Sequence, residues 1–332
     1  MKTIYLPEAG KLQLREATLN LKFAEEYIED FLLSLYPVFA HLPKELLKAV
    51  FDFSRNPESP GAVLLRNFPI DDALPVTPID GGPAENKTTF ISEASALGVA
   101  QMIGEPVGYR LEKGGNIVHN ICPVPGSVDT QSNEGSREFL RFHNDTNYDA
   151  DSPQIPCNVN NPDFFLLVCL RQDRNGEAKT AYVDARDRRD ICARLTRDEI
   201  EILRQPQFSF AVPYSFRKEN EIPRLWSVPV PIIKGPAQYP EITIDFGSGT
   251  KALQSEFTTL LDKLDRICND PELVRAVALK PGDLLLINNR KGVHARTSFK
   301  PIFDGNDRWL QRVYVRKNLW KLRNEGGFSR IF

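Results

Sequence analysis

Over residues 17–54 the apolar positions Leu21, Phe23, Tyr27, Ile28, Phe31, Leu32, Leu35 and Tyr36 recur at helical spacing, with Glu25, Glu26, Glu29 and Asp30 on the other side. The pattern predicts one or two amphipathic helices forming an N-terminal cap, about residues 1–60. A short apolar strand at 62–65 follows, then a Pro/Gly-rich loop through 75–83 and a helix over 89–103. From Asn116 onward the texture changes. Short runs at 164–170, 179–183, 207–212, 242–246, 283–287 and 310–315 are rich in β-branched and aromatic residues and are separated by Pro, Gly, Asn and Asp. They predict an antiparallel barrel or sandwich, mainly β with flanking helices. Two helical stretches interrupt it: 196–204, where Thr196 and Glu199 fit a capping box, and 254–269, with an amphipathic stripe. No internal repeat, low-complexity tract or flexible linker breaks the pattern, so residues 1–332 read as one domain.

Composition narrows the class. The 332 residues are 41% hydrophobic and 26% charged, which excludes a disordered, collagen-like or all-coiled-coil chain. Lys plus Arg is 42 and Asp plus Glu is 44, and a net charge of −2 lacks the basic field of a nucleic-acid binder. The five cysteines are odd in number and include no CxxC pair, so they form neither a disulfide framework nor a zinc cluster. The N-terminal residues carry no apolar signal-peptide core, and the longest apolar runs are far shorter than the roughly 18 residues a bilayer requires. The sequence predicts a reduced, cytoplasmic protein, without nucleic-acid or membrane partners.

Four histidines, His41, His119, His143 and His294, limit any imidazole chemistry. His143 and Asp145 form a His-x-Asp spacing at the end of a predicted strand, where positions i and i+2 point to one face and can reach a single ion. His294 follows the strand-like run at 283–287. Two imidazoles and one carboxylate on one face of an octahedron, with three open positions, is the ligand set of non-haem Fe(II) oxygenases. His-x-Asp alone is a weak signal, because chance produces it often.

The C-terminal strand adds weight. A period of two puts Arg308, Leu310, Arg312 and Tyr314 on one face and Trp309, Gln311, Val313 and Val315 on the other. Either the arginines face water, or they turn inward, where each guanidinium needs an anion and a carboxylate held bidentately is the natural partner.

Together, His143-Asn144-Asp145, Pro281-Gly282-Asp283 leading into Gly292-Val293-His294, and Arg308 and Arg312 at 14 and 18 residues after that histidine resemble the clavaminate synthase-like branch of the Fe(II)/2-oxoglutarate dioxygenases. That branch includes arginine and asparagine hydroxylases. The resemblance spans about residues 104–319, is strongest over 281–315, and also takes in residues 116–125 as the strand before the metal motif. It implies a distorted double-stranded β-helix, or jelly roll, carrying a helical insertion at about 250–270. It further implies Fe(II), 2-oxoglutarate as co-substrate and O2.

By the same resemblance His143, Asp145 and His294 are the iron ligands, and Arg308, supported by Thr180, holds the distal carboxylate of 2-oxoglutarate. Arg312 takes the α-carboxylate of an amino-acid substrate, and Glu112 lies near a residue that contacts the α-amino group. The implied reaction hydroxylates the β or γ carbon of a free L-amino acid and releases succinate and CO2; desaturation or cyclisation draws on the same cofactor chemistry. This chain departs from the branch in having Asp145 where Glu is usual, and in an enlarged 146–163 loop that reads as a lid. The presence of Asp145 argues against halogenation.

The remaining candidates keep two readings or a structural one. Asp245 either greets a cationic substrate side chain or caps the Gly247-Ser248-Gly249 turn. His41 and His119 read as structural. Arg186, Arg188, Arg189, Arg194 and Arg197, interleaved with Asp184, Asp187, Asp190 and Asp198, read as a self-compensated solvated face. Two other classes compete with the oxygenase: a non-catalytic metal-binding jelly roll, and a zinc hydrolase or isomerase. Arg308 separates them, since only the oxygenase supplies it with a dicarboxylic partner.

Overall fold

The computed structural model describes residues 1–145, 161–186, 189–211, 226–247, 249–319 and 330. In chain order the strands are β1 Lys2–Tyr5, β2 Ala62–Arg66, β3 Glu105–Val107, β4 Val118–Ile121, β5 Leu140–His143, β6 Phe164–Arg171, β7 Thr180–Asp184, β8 Phe208–Phe210, β9 Ile233–Lys234, β10 Glu241–Ile242, β11 Thr250–Ala252, β12 Arg275–Val277, β13 Leu284–Asn288, β14 Gly292–Arg296 and β15 Trp309–Arg316. The helices are α1 Glu8–Thr18, α2 Ile28–Phe39, α3 Lys44–Arg55, α4 Ile91–Ile103, α5 Arg197–Leu203 and α6 Thr258–Cys268.

Two sheets form the body. The larger runs β1-β2-β13-β6-β15-β3, with β4 also on β15, and the smaller runs β12-β7-β14-β5. Apart from the parallel β1–β2 pair, the neighbours in both sheets are antiparallel.

Strand alternation sorts the apolar side chains into three layers. Leu284 and Leu286 of β13, Leu166 and Val168 of β6, and Trp309, Val313 and Val315 of β15 pack outward against α2, α3 and α4. Leu285, Ile287, Phe165, Leu167, Leu310 and Tyr314 point the other way and meet Tyr182 of the smaller sheet. That sheet's outer face, with Val183, Val293 and Ala295, packs on Leu260, Leu264 and Ile267 of α6. β6, β13 and β15 are covered on both sides; the runs of β6 and β13 are accordingly almost continuously apolar, unlike a half-exposed strand, whereas β15 buries Gln311, Arg312 and Arg316 as well.

The elements agree with the patterning except in two places. The N-terminal cap has three helices, not one or two, preceded by a strand. In α1 only Leu14 and Thr18 are buried, too thin a stripe to register as periodicity. The expected strand at 242–246 reduces to β10, because the chain beyond it bonds to the metal loop instead of a ladder. Ile244 N–H donates to Asn144 Oδ1, Asn144 N–H to the Ile244 carbonyl, and Phe246 N–H to the Phe142 carbonyl, at 2.9, 2.9 and 3.1 Å. The capping box at α5 is present as expected, with Thr196 and Glu199 each accepting from the other's backbone N–H.

Cys122, Cys169, Cys192 and Cys268 are free and buried, and burial raises the Cys122 and Cys169 thiols to about 12. Arg186 pairs with Asp184 and Asp190, and Arg194 with Asp270 and Glu272. Asp187 and Arg188, Cys157, Ser248 and positions 146–160 of the expected lid lie outside the described residues. Among the described residues, no helix is long and apolar enough to cross a membrane.

Leu286 is fully buried between the larger sheet and the helices. Leu286→Ala is expected to destabilise the fold by about 2–5 kcal/mol, through lost transfer energy plus the cavity left behind. A urea titration of both proteins checks it.

Candidate metal and co-substrate site

β5 and β14 run antiparallel with His294 directly opposite His143, and the two imidazole centres are 4.2 Å apart. His143 Nε2 lies 3.9 Å from Asp145 Oδ1, and His294 Nε2 lies 3.8 Å from Asp145 Oδ2. One donor atom from each of the three falls within 4.8 Å of the others.

Several features fit this trio to a metal ion. His143 Nδ1 donates to the Arg141 carbonyl at 2.8 Å, which leaves the Nε2 lone pair facing the centre. Asp145 Oδ2 is buried and accepts no hydrogen bond among the described residues. Burial, then the neighbouring His143 and Arg312, hold His294 well below the ordinary imidazole value, so it stays neutral, which is the ligating form.

The loop carrying Asp145 is clamped from the turn between β13 and β14. Asn289 Oδ1 accepts from the Asp145 N–H at 2.9 Å, and Asn289 Nδ2 donates to the Asp145 carbonyl at 2.7 Å. Asn144 is buried and donates to the carbonyls of Asn289 and Gly292, at 2.5 and 2.8 Å. These side chains satisfy backbone groups that have no ladder partner where β5 stops. A register shift of one residue between β5 and β14, His294 opposite His143 but Arg296 opposite Leu140, places a bulge beside the site.

All eight residues singled out by sequence, His143, Asp145, His294, Arg308, Thr180, Arg312, Glu112 and Asp245, line one pocket. The inward reading of β15 holds. The two arginines there differ in surroundings. Arg312 donates to Glu112 Oε1 and to His119 Nδ1 (2.9 Å), and lies 3.7 Å from Asp145 Oδ1. Burial alone would lower Arg312; Glu112, Tyr314 and Asp145 outweigh it and raise it above its usual value. Arg308 is just as buried but has no hydrogen bond or ion pair among the described residues; its guanidinium carbon sits 5.6 Å from the Phe299 ring centre. Burial lowers its proton affinity. A buried guanidinium without an anion is an incomplete arrangement.

Asp245 caps the turn at Gly247 and also lies on the pocket wall. Its Oδ1 accepts the Gly247 N–H at 2.8 Å, and the residue is buried on the pocket wall, bridged to His143. His119 is structural: its Nε2 bonds to the Asn116 carbonyl at 2.7 Å, and burial pushes it down to about 4, so it serves Arg312 as a neutral acceptor. His41 is exposed and bonds within its own helix end.

Sequence reasoning missed Arg296 and the Asn144–Asn289 clamp. Arg296 had a legible signal: it stands two residues after His294 on a strand and so shares its face. Asn289 had none, because its partner is 144 positions away.

Three comparisons bear on this geometry. The family model described as taurine catabolism dioxygenase TauD, TfdA family, matches residues 41–314. L-asparagine oxygenase of Streptomyces coelicolor is 32% identical over 284 residues, 85% of this chain and 78% of the relative. L-lysine 3-hydroxylase of Catenulispora acidiphila is 30% identical over 312 residues, 93% of this chain and 81% of the relative. Asparagine oxygenase, solved with Fe(II), (2S,3S)-3-hydroxyasparagine and succinate, superposes with a TM-score of 0.86 at 26% identity, covering 100% of this chain and 99% of that one.

Two substitutions separate the ligand from its clamp. Asp145→Ala should abolish stoichiometric binding of Fe(II) or Co(II), measured by calorimetry, with little change in folding. Asn289→Ala leaves buried backbone groups unsatisfied and should cost about 1–3 kcal/mol of stability per orphaned group, with weakened metal binding. Full metal retention by Asp145→Ala would mean the trio is not the metal centre.

Proposed function

Because the chain belongs to the TauD/TfdA family of dioxygenases, we propose that it is an Fe(II)- and 2-oxoglutarate-dependent oxygenase acting on a free L-amino acid. It hydroxylates an unactivated C–H at the β or γ carbon. One oxygen of O2 enters the product hydroxyl and the other enters succinate, with release of CO2. The observation that carries the reading is the pairing, in one pocket, of a His-Asp-His donor set with an uncompensated buried guanidinium, Arg308.

On this reading His143, Asp145 and His294 hold the iron, and Arg308 and Thr180 seat the distal carboxylate of 2-oxoglutarate. The two sheets form the distorted double-stranded β-helix, with the metal at its mouth. Iron and 2-oxoglutarate, when bound, supply the oxidising power; the chain supplies position.

Arg312 and Glu112 form a buried pair of opposite charges beside the iron ligands, which suits the head of an amino-acid zwitterion. Arg312 receives the α-carboxylate. Glu112, whose Oε2 is buried without a hydrogen-bond partner among the described residues, receives the α-ammonium. The pair neutralises itself when the pocket holds no substrate, so neither charge is stranded.

Asp245, an acceptor-only carboxylate on the same wall, favours a side chain that donates hydrogen bonds, and a basic one most of all. The apolar wall of Ile121, Phe165, Leu167 and Leu310 keeps water away from the reacting carbon.

An anaerobic visible spectrum of the Fe(II) protein tests the class without a guess at the substrate. Adding 2-oxoglutarate should produce the weak metal-to-ligand charge-transfer band of the chelate. Arg308→Ala should keep the iron but weaken 2-oxoglutarate binding roughly a hundredfold, the worth of a buried charge-assisted pair of about 3 kcal/mol. An unaltered affinity would overturn the assignment. Asp245→Asn tests the side-chain reading: KM for basic amino acids should rise by about tenfold or more, whereas no selective rise would remove Asp245 from the specificity pocket.

A further inference from the structure

Arg296 is unaccounted for by the assignments above. It lies on β14 directly opposite Thr180 of β7 and on the same face as His294. It is buried and lines the same pocket as Arg308. Its guanidinium carbon is 5.3 Å from the Phe299 ring centre, the ring that Arg308 also approaches.

Its terminal nitrogens donate to the carbonyls of Gly135 and, at 3.1 Å, Glu138, while Nε is buried without a hydrogen-bond partner. No carboxylate pairs with it among the described residues. Two guanidinium groups of the pocket thus meet at one aromatic ring, neither of them in an ion pair with an acid among the described residues. Like charges at close quarters in a low-dielectric site repel strongly, and the remedy is an anion large enough to face both.

We infer that Arg296 is a second cation for the distal carboxylate of the co-substrate, forming with Arg308 and Thr180 a three-sided anion seat. The inference rests on the oxygenase reading. It also gives the carbonyl contacts a purpose. By gripping Gly135 and Glu138, Arg296 ties the seat to the loop whose Gln131, Ser132 and Asn133 line the same pocket. The stacking ring and the two carbonyls hold the guanidinium in place before the anion arrives, so little ordering remains to be done on binding.

The test is anaerobic titration of the Fe(II) protein with 2-oxoglutarate and, separately, with 2-oxobutyrate, which chelates through the same 2-oxo acid but lacks the distal carboxylate. Charge-transfer absorbance reports each affinity without turnover. Arg296→Met should weaken 2-oxoglutarate binding at least about tenfold and leave 2-oxobutyrate unchanged. Arg296→Lys keeps the charge but loses the fork that holds both carbonyls, and should retain most of the preference for 2-oxoglutarate. It also keeps the test open if the methionine variant does not fold. If the two acids weaken in parallel in either variant, or 2-oxoglutarate affinity does not change in the methionine variant, Arg296 only braces the loop and the inference falls. A band absent from the unaltered protein would instead remove the oxygenase reading itself.

Discussion

Arg312 of β15 and Arg308 just ahead of it are held facing inward by the apolar side chains on the strand's other face. Trp309, Val313 and Val315 are buried against the helical layer, with Trp309 Nε1 donating to Asn120 at 2.8 Å and Gln311 to Glu93 at 2.8 Å. A one-residue slip would exchange the two faces and expel all of them at once. Hydrophobic burial on one side thus sustains buried charge on the other, and the pocket exists because that exchange is prohibitive.

The same strand presents two guanidinium groups in opposite electrostatic states. Arg312 is matched by Glu112 and neighboured by Asp145, while among the described residues Arg308 and the nearby Arg296 form no ion pair with an acid. A matched pair accommodates a zwitterion by exchange of partners, with no net change in charge. An unmatched pair attracts a net anion. On the proposed reading, the matched pair takes the amino-acid substrate and the unmatched pair takes the dicarboxylic co-substrate.

The metal centre depends on pairing more than on spacing. His143 is the last residue of β5 and Asp145 lies beyond it, so simple strand alternation does not by itself bring them to one ion. Their convergence comes from the cross-strand pairing with His294 and from Asn144 and Asn289, which hold the backbone after the ladder ends. Asp145, a carbon shorter than the Glu usual in the clavaminate synthase-like branch, meets both imidazoles from this clamped loop.

What the sequence by itself determined is whatever follows from period and residue chemistry. The continuous apolar runs at 164–170 and 284–287 are legible because strands buried on both faces need no polar alternation. Arg308 and Arg312 are legible as one face because the strand period is two. The ligand set is legible because few histidines exist to choose from.

Tertiary structure alone decided the rest: which way the arginine face turns, that Arg312 is paired and Arg308 is not, and that Asp245 both caps a turn and lines the pocket. It also decided that residues beyond Ile242 bond to Asn144 instead of extending a strand, and that Asn289 holds Asp145 from 144 positions away. These outcomes turn on contacts between segments distant in the chain, and local periodicity carries no information about which distant group will arrive.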